Sequence, residues 1–196
     1  GSKVYTVQIP RAPSSNADLD SLALSQGTLT PPFDPATTSY TVTVANRVIT
    51  VTVTPTTGEP NATIAVNGTP VLSGTASGPI SLRVGENVVT TTITAQDGVS
   101  AKTYTVTVAR APSSNADVDS LVLNDGALTP AFDPATTIYT ATVANSVLAV
   151  TVTTVTGEPN ATIKVNGTPV LSGTASGPIS LNVGENVITT TVTAQD

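Results

Sequence analysis

The chain has 196 residues, 13 of them acidic and 7 basic, and it contains no cysteine, histidine, tryptophan or methionine. Without histidine and cysteine, Ser-His-Asp and Cys-His triads, zinc sites built on these residues and disulfides are all excluded. The net charge of −6 and the lack of a basic cluster argue against nucleic acid as a partner. The longest apolar runs are a few residues, so no membrane-spanning segment is predicted.

The sequence is a tandem repeat with an offset of 99 residues. The segment GEPNATI at residues 58–64, for example, recurs at residues 157–163. Aligned at this offset, 74 of 97 positions are identical. Each repeat has the size of one ordinary domain, and the near identity indicates a recent duplication within a longer array.

Within each repeat, apolar residues alternate with threonine, which is typical of half-buried strands. The clearest segments of the first repeat are residues 40–44, 49–53, 80–84 and 104–108. Asn67-Gly68 predicts a type I′ hairpin, and Gly85-Glu86-Asn87 predicts a second turn. No helical periodicity of useful length is present, and 15 prolines and 14 glycines punctuate the chain. These features predict an all-β protein of two tandem sandwich domains with about seven strands each.

Four segments of the first repeat and the strand that follows it resemble a known family. The segments NADLDSLALSQGTLTPPFDPATTSYTVTV, NATIAVNGTPV, VGENVV and TAQDGVSAKTYTVTVAR are similar to the bacterial cadherin-like β-sandwich domain, over essentially the whole chain. The resemblance implies an immunoglobulin- or cadherin-like sandwich that occurs as tandem modules of secreted and surface proteins. It also implies an adhesive, spacer or carbohydrate-associated role and no catalytic residues. The calcium-binding signatures of animal cadherins, such as an Asp-x-Asn-Asp-Asn linker, are absent.

The resemblance also implies domain boundaries, because domains of this family end with the strand that reads KTYTVTVAR here, at residues 102–110. The first sandwich then covers residues 14–110. The second covers residues 111–196 and has no counterpart of that last strand. Residues 1–13 contain the matching segment KVYTVQIPR, followed by a linker, with no domain before it.

Three interpretations of this unmatched strand remain open. The domain is permuted, so that residues 3–97 and 102–196 are complete; or the missing strand is simply tolerated; or the N-terminal strand of one molecule enters the second sandwich of another. In the third interpretation Tyr5, Val7 and Ile9 point into the acceptor core, and burial of each contributes about 1.5–3 kcal/mol.

Donation within one molecule is disfavoured by length. If the two domains lie end to end, the strand has to pass the whole first domain, which is about 34 Å across, and the nine linking residues from Pro10 to Asp18 span at most about 30 Å. We therefore expect copies of the chain to be the partners, joined head to tail into rings or filaments. In a longer array, the same strand belongs to the preceding repeat.

Ligand sites are weakly indicated. Asp18 and Asp20, with their counterparts Asp117 and Asp119, are calcium candidates next to the linker, but Ca²⁺ needs six to eight oxygen ligands and these residues also suit turn caps. No other cofactor is indicated. Polysaccharide is another candidate ligand, although all six aromatic residues fall at predicted core positions. Lys3 and Lys102 flank the strand motif and are expected to be solvated.

The residues thus favour two functions of different class. The first is a non-enzymatic structural or adhesive repeat of a bacterial extracellular or cell-surface protein, able to assemble through its N-terminal strand. The alternative is a polysaccharide- or calcium-binding accessory module of a secreted multidomain protein. Neither function involves catalytic residues.

Overall fold

Strands and the loops between them make up the entire chain. The structure, a computed structural model, describes residues 1–196 and contains no helix, so none is long and apolar enough to cross a membrane. The chain divides into two units, unit 1 (Gly1–Pro112) and unit 2 (Ser113–Asp196). The predicted all-β fold with two tandem β-sandwich domains is confirmed.

Unit 1 contains nine strands, two of which are separated by a single residue. They are β1 (Leu19–Leu24), β2 (Ser39–Val44), β3 (Thr50–Val51), β4 (Val53–Thr57), β5 (Thr63–Val66), β6 (Thr69–Val71), β7 (Ile80–Ser81), β8 (Gly85–Thr94) and β9 (Ala101–Arg110). The larger sheet has five strands in the order β2-β9-β8-β5-β6. The opposite layer consists of two short pairs, β1 with β4 and β3 with β7.

Strand β9 occupies an interior position in the larger sheet. It runs parallel to β2 over six residue pairs and antiparallel to β8 over ten. Its alternating sequence explains this position, because Tyr104, Val106 and Val108 face the core while the threonines between them face outward. The strand therefore joins β2 to the rest of the sheet.

The core of unit 1 lies between the two layers and is mostly aliphatic. Seventeen buried apolar residues form one cluster, which includes Leu19 of β1, Val53 of β4, Ile93 of β8 and Tyr104 of β9. The predicted alternation of apolar and threonine residues marks the inward and outward faces correctly at residues 40–44 and 104–108, whereas Ile49 is exposed and Thr91 of β8 is buried.

The local predictions for unit 1 are correct for the hairpin and wrong at one other turn. Asn67 and Gly68 have φ angles of 47° and 80°, as a type I′ turn between β5 and β6 requires. Residues 85–87, however, begin strand β8. The strand predicted at residues 80–84 covers only Ile80–Ser81, because the side chain of Asn87 bonds both the N–H and the carbonyl of Arg83 at 2.8 Å.

Unit 2 contains seven strands. They are β10 (Val118–Leu123), β11 (Ala149–Val150), β12 (Val152–Thr156), β13 (Thr162–Val165), β14 (Thr168–Val170), β15 (Ile179–Ser180) and β16 (Thr190–Thr193). Its larger sheet has the order β14-β13-β16, and the pairs β10-β12 and β11-β15 form the rest. Residues 138–143, which correspond to β2, form no strand, and β16 has four residues where β8 has ten.

Candidate functional site

Strand β9 of unit 1 shows which contacts a strand makes at the interior position of the larger sheet. Tyr104, Val106 and Val108 of β9 are 0–1% exposed. The hydroxyl of Tyr104 accepts a hydrogen bond from the Leu19 N–H at 3.2 Å and donates one to the Pro35 carbonyl at 2.9 Å. The strand thus supplies apolar side chains and also the partner of a buried amide in the opposite layer.

A lysine anchors the N-terminal end of β9. The Lys102 ammonium lies 2.7 Å from the Asp18 carboxylate and donates to the Pro35 carbonyl at 2.6 Å. It also lies 5.2 Å from the centroid of the Tyr104 ring. The bond to Asp18 raises the pKa of Lys102 above its ordinary value of 10.5. The prediction that Lys102 is solvated is incomplete, because its side chain is 28% exposed but its charge is also bound by residues distant in sequence.

An arginine anchors the other end of β9. The Arg110 guanidinium donates to the Asn46 carbonyl at 2.7 Å and to the Leu82 carbonyl at 3.2 Å. These acceptors follow the strands on either side of the core. Sequence reasoning missed both anchors. The signal was available, since lysine and arginine recur with the same spacing in the segment at residues 3–11.

Unit 2 leaves two backbone edges unpaired where unit 1 holds β9. We call residues 138–143 and 184–189 the open edges. Apart from the bridge between Thr129 and Thr140 and the hydrogen bonds between Thr189 and Asn166, neither edge has a strand partner in the chain. The corresponding residues of unit 1 pair with both sides of β9. The open edges therefore offer the hydrogen-bonding groups that an added strand would use.

The apolar side chains near the open edges are more exposed than their counterparts in unit 1. Ala141 is exposed and Tyr139 half-buried, whereas Val42 and Tyr40 are each 2% exposed. The largest cluster of buried residues in unit 2 consists of Val152, Ile163 and Val165. Residues 138–143 of unit 2 thus expose apolar side chains whose counterparts in unit 1 are buried.

The N-terminal segment, residues 3–11, matches β9 in sequence but not in environment. It carries the same residue as Lys102–Arg110 at five of nine positions. Tyr5, Val7 and Ile9 are 80–86% exposed and belong to no strand. The expectation that every aromatic residue lies in a core is therefore wrong for Tyr5. The permuted arrangement also differs from the structure, in which residues 101–110 complete the sheet of unit 1.

The predicted calcium ligands lie in different local settings. Asp18 pairs with Lys102, and Asp20 lies beside Gly58 near the end of β4. In unit 2 the main-chain N–H of Asp117 bonds the Asn115 side chain, and Asp119 lies beside Gly157. No group of three or more acidic residues is arranged to hold a metal ion. Calcium binding stays a prediction.

Five of the six aromatic residues form internal clusters. The ring of Phe33 lies 5.9 Å from that of Tyr40 and 6.2 Å from that of Tyr104. Phe132 and Tyr139 make the equivalent stacked pair in unit 2, with centroids 6.0 Å apart. These contacts assign those aromatic residues to packing, and polysaccharide binding also stays a prediction.

Comparison with known proteins identifies both halves of the chain. The family model of the cadherin-like beta sandwich domain matches residues 19–111 and 118–196. A protein of Evansella cellulosilytica, named "Putative membrane protein", is 40% identical over 110 residues. That alignment covers 56% of the present chain and 16% of the relative, so the chain spans a small part of that protein's length.

Proposed function

The chain belongs to the cadherin-like β-sandwich domain family, and from this membership we propose that it is a non-enzymatic structural and adhesive module of a bacterial extracellular or cell-surface protein. Copies join head to tail, because residues 3–11 of one copy pair with the open edges of unit 2 in the next. The occurrence of a related segment in a much longer protein named as a membrane protein supports the surface location.

One observation carries the proposal: the chain holds both an exposed strand sequence and unpaired edges of matching type. The segment at residues 3–11 repeats the inward tyrosine and valine of β9 as Tyr5 and Val7, and substitutes Ile9 for Val108. Burial of these three side chains contributes about 1.5–3 kcal/mol each. That gain is large beside the roughly 5–15 kcal/mol of net stability of a domain.

Such pairing joins two different surfaces, since the donor lies at the N-terminus and the acceptor in unit 2. A heterologous contact leaves one donor and one acceptor free at the ends of every oligomer. Rings form if the rotation between successive copies closes, and filaments form if it does not. Either product would extend or cross-link a bacterial surface without a ligand or a reaction.

The proposal is tested by light scattering of the intact chain over a concentration series. Val7→Asp places a charge at the position that corresponds to buried Val106, and we expect it to leave the chain monomeric. Gln8→Asp is the matched control, because its counterpart Thr107 faces outward; this variant should assemble like the original. Monomers of the original chain at all concentrations would overturn the proposal.

A lengthened variant tests the acceptor. Copying residues 98–110 after Asp196 gives unit 2 its own strand, which competes at high effective concentration with a strand from another copy. We expect this variant to be monomeric although residues 3–11 are intact. Continued assembly would show that the open edges are not the acceptor.

A further inference from the structure

We call residues 3–11 the donor segment. Its apolar residues are compatible with more than one alignment along the open edges. Tyr5, Val7 and Ile9 repeat every second residue, so a shift by two residues still directs apolar side chains inward. A shift of one residue would expose them all. Something besides the apolar alternation has to set the register of the added strand.

The charged residues at the two ends of the donor segment distinguish these registers. Lys3 and Arg11 are separated as Lys102 and Arg110 are in β9. A shift of two residues along a strand displaces both charges by about 6.5 Å, which is beyond hydrogen-bonding distance of the original partners.

Unit 2 contains counterparts of the residues that bind Lys102 and Arg110 in unit 1. At the offset of 99 residues, Asp18 and Pro35 correspond to Asp117 and Pro134. Asn46 and Leu82, whose carbonyls hold Arg110, correspond to Asn145 and Leu181. Asp117 is exposed, and its carboxylate makes no ion pair or hydrogen bond within the chain.

We propose that Lys3 and Arg11 of one copy fix the register and direction of strand donation into unit 2 of another. Lys3 binds the Asp117 carboxylate and the Pro134 carbonyl. Arg11 binds the carbonyls of Asn145 and Leu181. This inference rests on the proposed strand donation and adds to it the residues that recognise the correct partner strand.

Charge reversal in two separate variants tests the lysine anchor. Lys3→Glu alone and Asp117→Lys alone should each weaken self-association about threefold to tenfold at low ionic strength, because each places like charges together. An equimolar mixture should recover the original association. The donor of each variant is complementary to the acceptor of the other, so the mixture forms alternating oligomers.

Sedimentation velocity distinguishes the outcomes. Lys164→Glu is the control for charge alone, because Lys164 is exposed on β13; it should associate like the original chain. For the other anchor, Arg11→Gln should weaken association while Arg47→Gln, at an exposed position, should not. The proposed anchors would be contradicted if the charge-reversed variants associated normally, or if their mixture associated no more tightly than each variant alone. Either result would leave the proposed strand donation unaffected. A monomeric original chain would overturn both.

Discussion

The Lys102 ammonium and the Asp18 carboxylate, 84 residues apart in sequence, lie 2.7 Å from each other. The pair ties the beginning of β9 to the residue that precedes β1. The Lys102 side chain is 28% exposed and that of Asp18 is 53% exposed. Solvent therefore screens the attraction, and its contribution to stability is about 1 kcal/mol or less.

This pair predicts a loss of stability at high pH. The pKa of Lys102 is raised in the folded state from 10.5, so its contribution is complete below that pH and disappears as the pH rises through the folded-state value. Urea unfolding should show that Asp18→Asn lowers the free energy of unfolding near pH 8. The difference from the original chain should disappear as the pH rises through the raised pKa of Lys102.

The control for this measurement is Asp20→Asn, which removes the same charge two residues away. Asp20 lies beside Gly58 and has no ion pair. It should leave the pH dependence as it is in the original chain. An equal effect of both substitutions would attribute the change to net charge and contradict the role of the pair.

A buried hydroxyl in β8 predicts a stabilising substitution. Thr91 is 1% exposed, and its Oγ1 makes no hydrogen bond. Thr91→Val keeps the shape and removes the unpaired polar atom, so it should stabilise unit 1 by about 1 kcal/mol. For a domain of this size, the melting temperature should rise by about 4–8 °C in calorimetry.

Thr92→Val is the matched control, because its hydroxyl lies 3.1 Å from that of Thr103 on the outward face. This substitution should leave the stability within about 0.5 kcal/mol of the original. A melting temperature that falls in Thr91→Val would mean that the hydroxyl has a partner in solution.

The sequence predicts inward and outward faces well because they depend on local alternation. Residues 39–44 and 138–143 show where this fails, since SYTVTV forms strand β2 and the similar IYTATV forms no strand. The difference comes from β9, which pairs with the first segment and has no counterpart beside the second. Strand formation here depends on a partner that is distant in sequence.

The anchors of β9 show the same limit. Lys102 and Arg110 are identifiable as repeated charges, but their partners become known only when the fold brings Asp18, Pro35 and Asn46 to the ends of the strand. The predicted interface residues Tyr5, Val7 and Ile9 followed from the match between residues 3–11 and residues 102–110, together with the alternation of apolar residues. Their charged neighbours could not be assigned in that way.

Pro10 predicts that the donor strand is weaker than β9. The amides of Thr105 and Ala111 donate to β2 or its extension, at Thr38 and Val44, with distances of 2.8 and 2.9 Å. Alternation places the amide of Ala109, the counterpart of Pro10, on the same side. Proline has no N–H to donate. Pro10→Ala should therefore strengthen self-association by about 0.5–1.5 kcal/mol, which is a factor of about 2 to 12 in Kd.

The control is Pro13→Ala, which lies beyond the segment that matches β9. Its Kd in the same sedimentation series should equal that of the original chain. If Pro10→Ala binds no more tightly, the amide at this position does not face the open edge. The donor segment then does not run parallel to residues 138–143 in the way that β9 runs parallel to β2.

A change of side-chain size supports the same alignment and gives a prediction of its own. Val42 and Val108 are neighbours across β2 and β9, and both are buried. Their counterparts are Ala141 in the acceptor and Ile9 in the donor. The acceptor residue is smaller and the donor residue larger, as close packing requires. Ala141→Val should overfill the site and weaken self-association by about 1–3 kcal/mol.

The double variant separates packing from other effects. Combining Ala141→Val with Ile9→Val recreates the valine pair of unit 1 and should recover most of the lost association, giving a favourable coupling energy in a double-mutant cycle. Ala144→Val, at an exposed position outside the open edges, is the control and should change nothing. Additive effects of the two substitutions would place Ile9 away from Ala141 and require a different register.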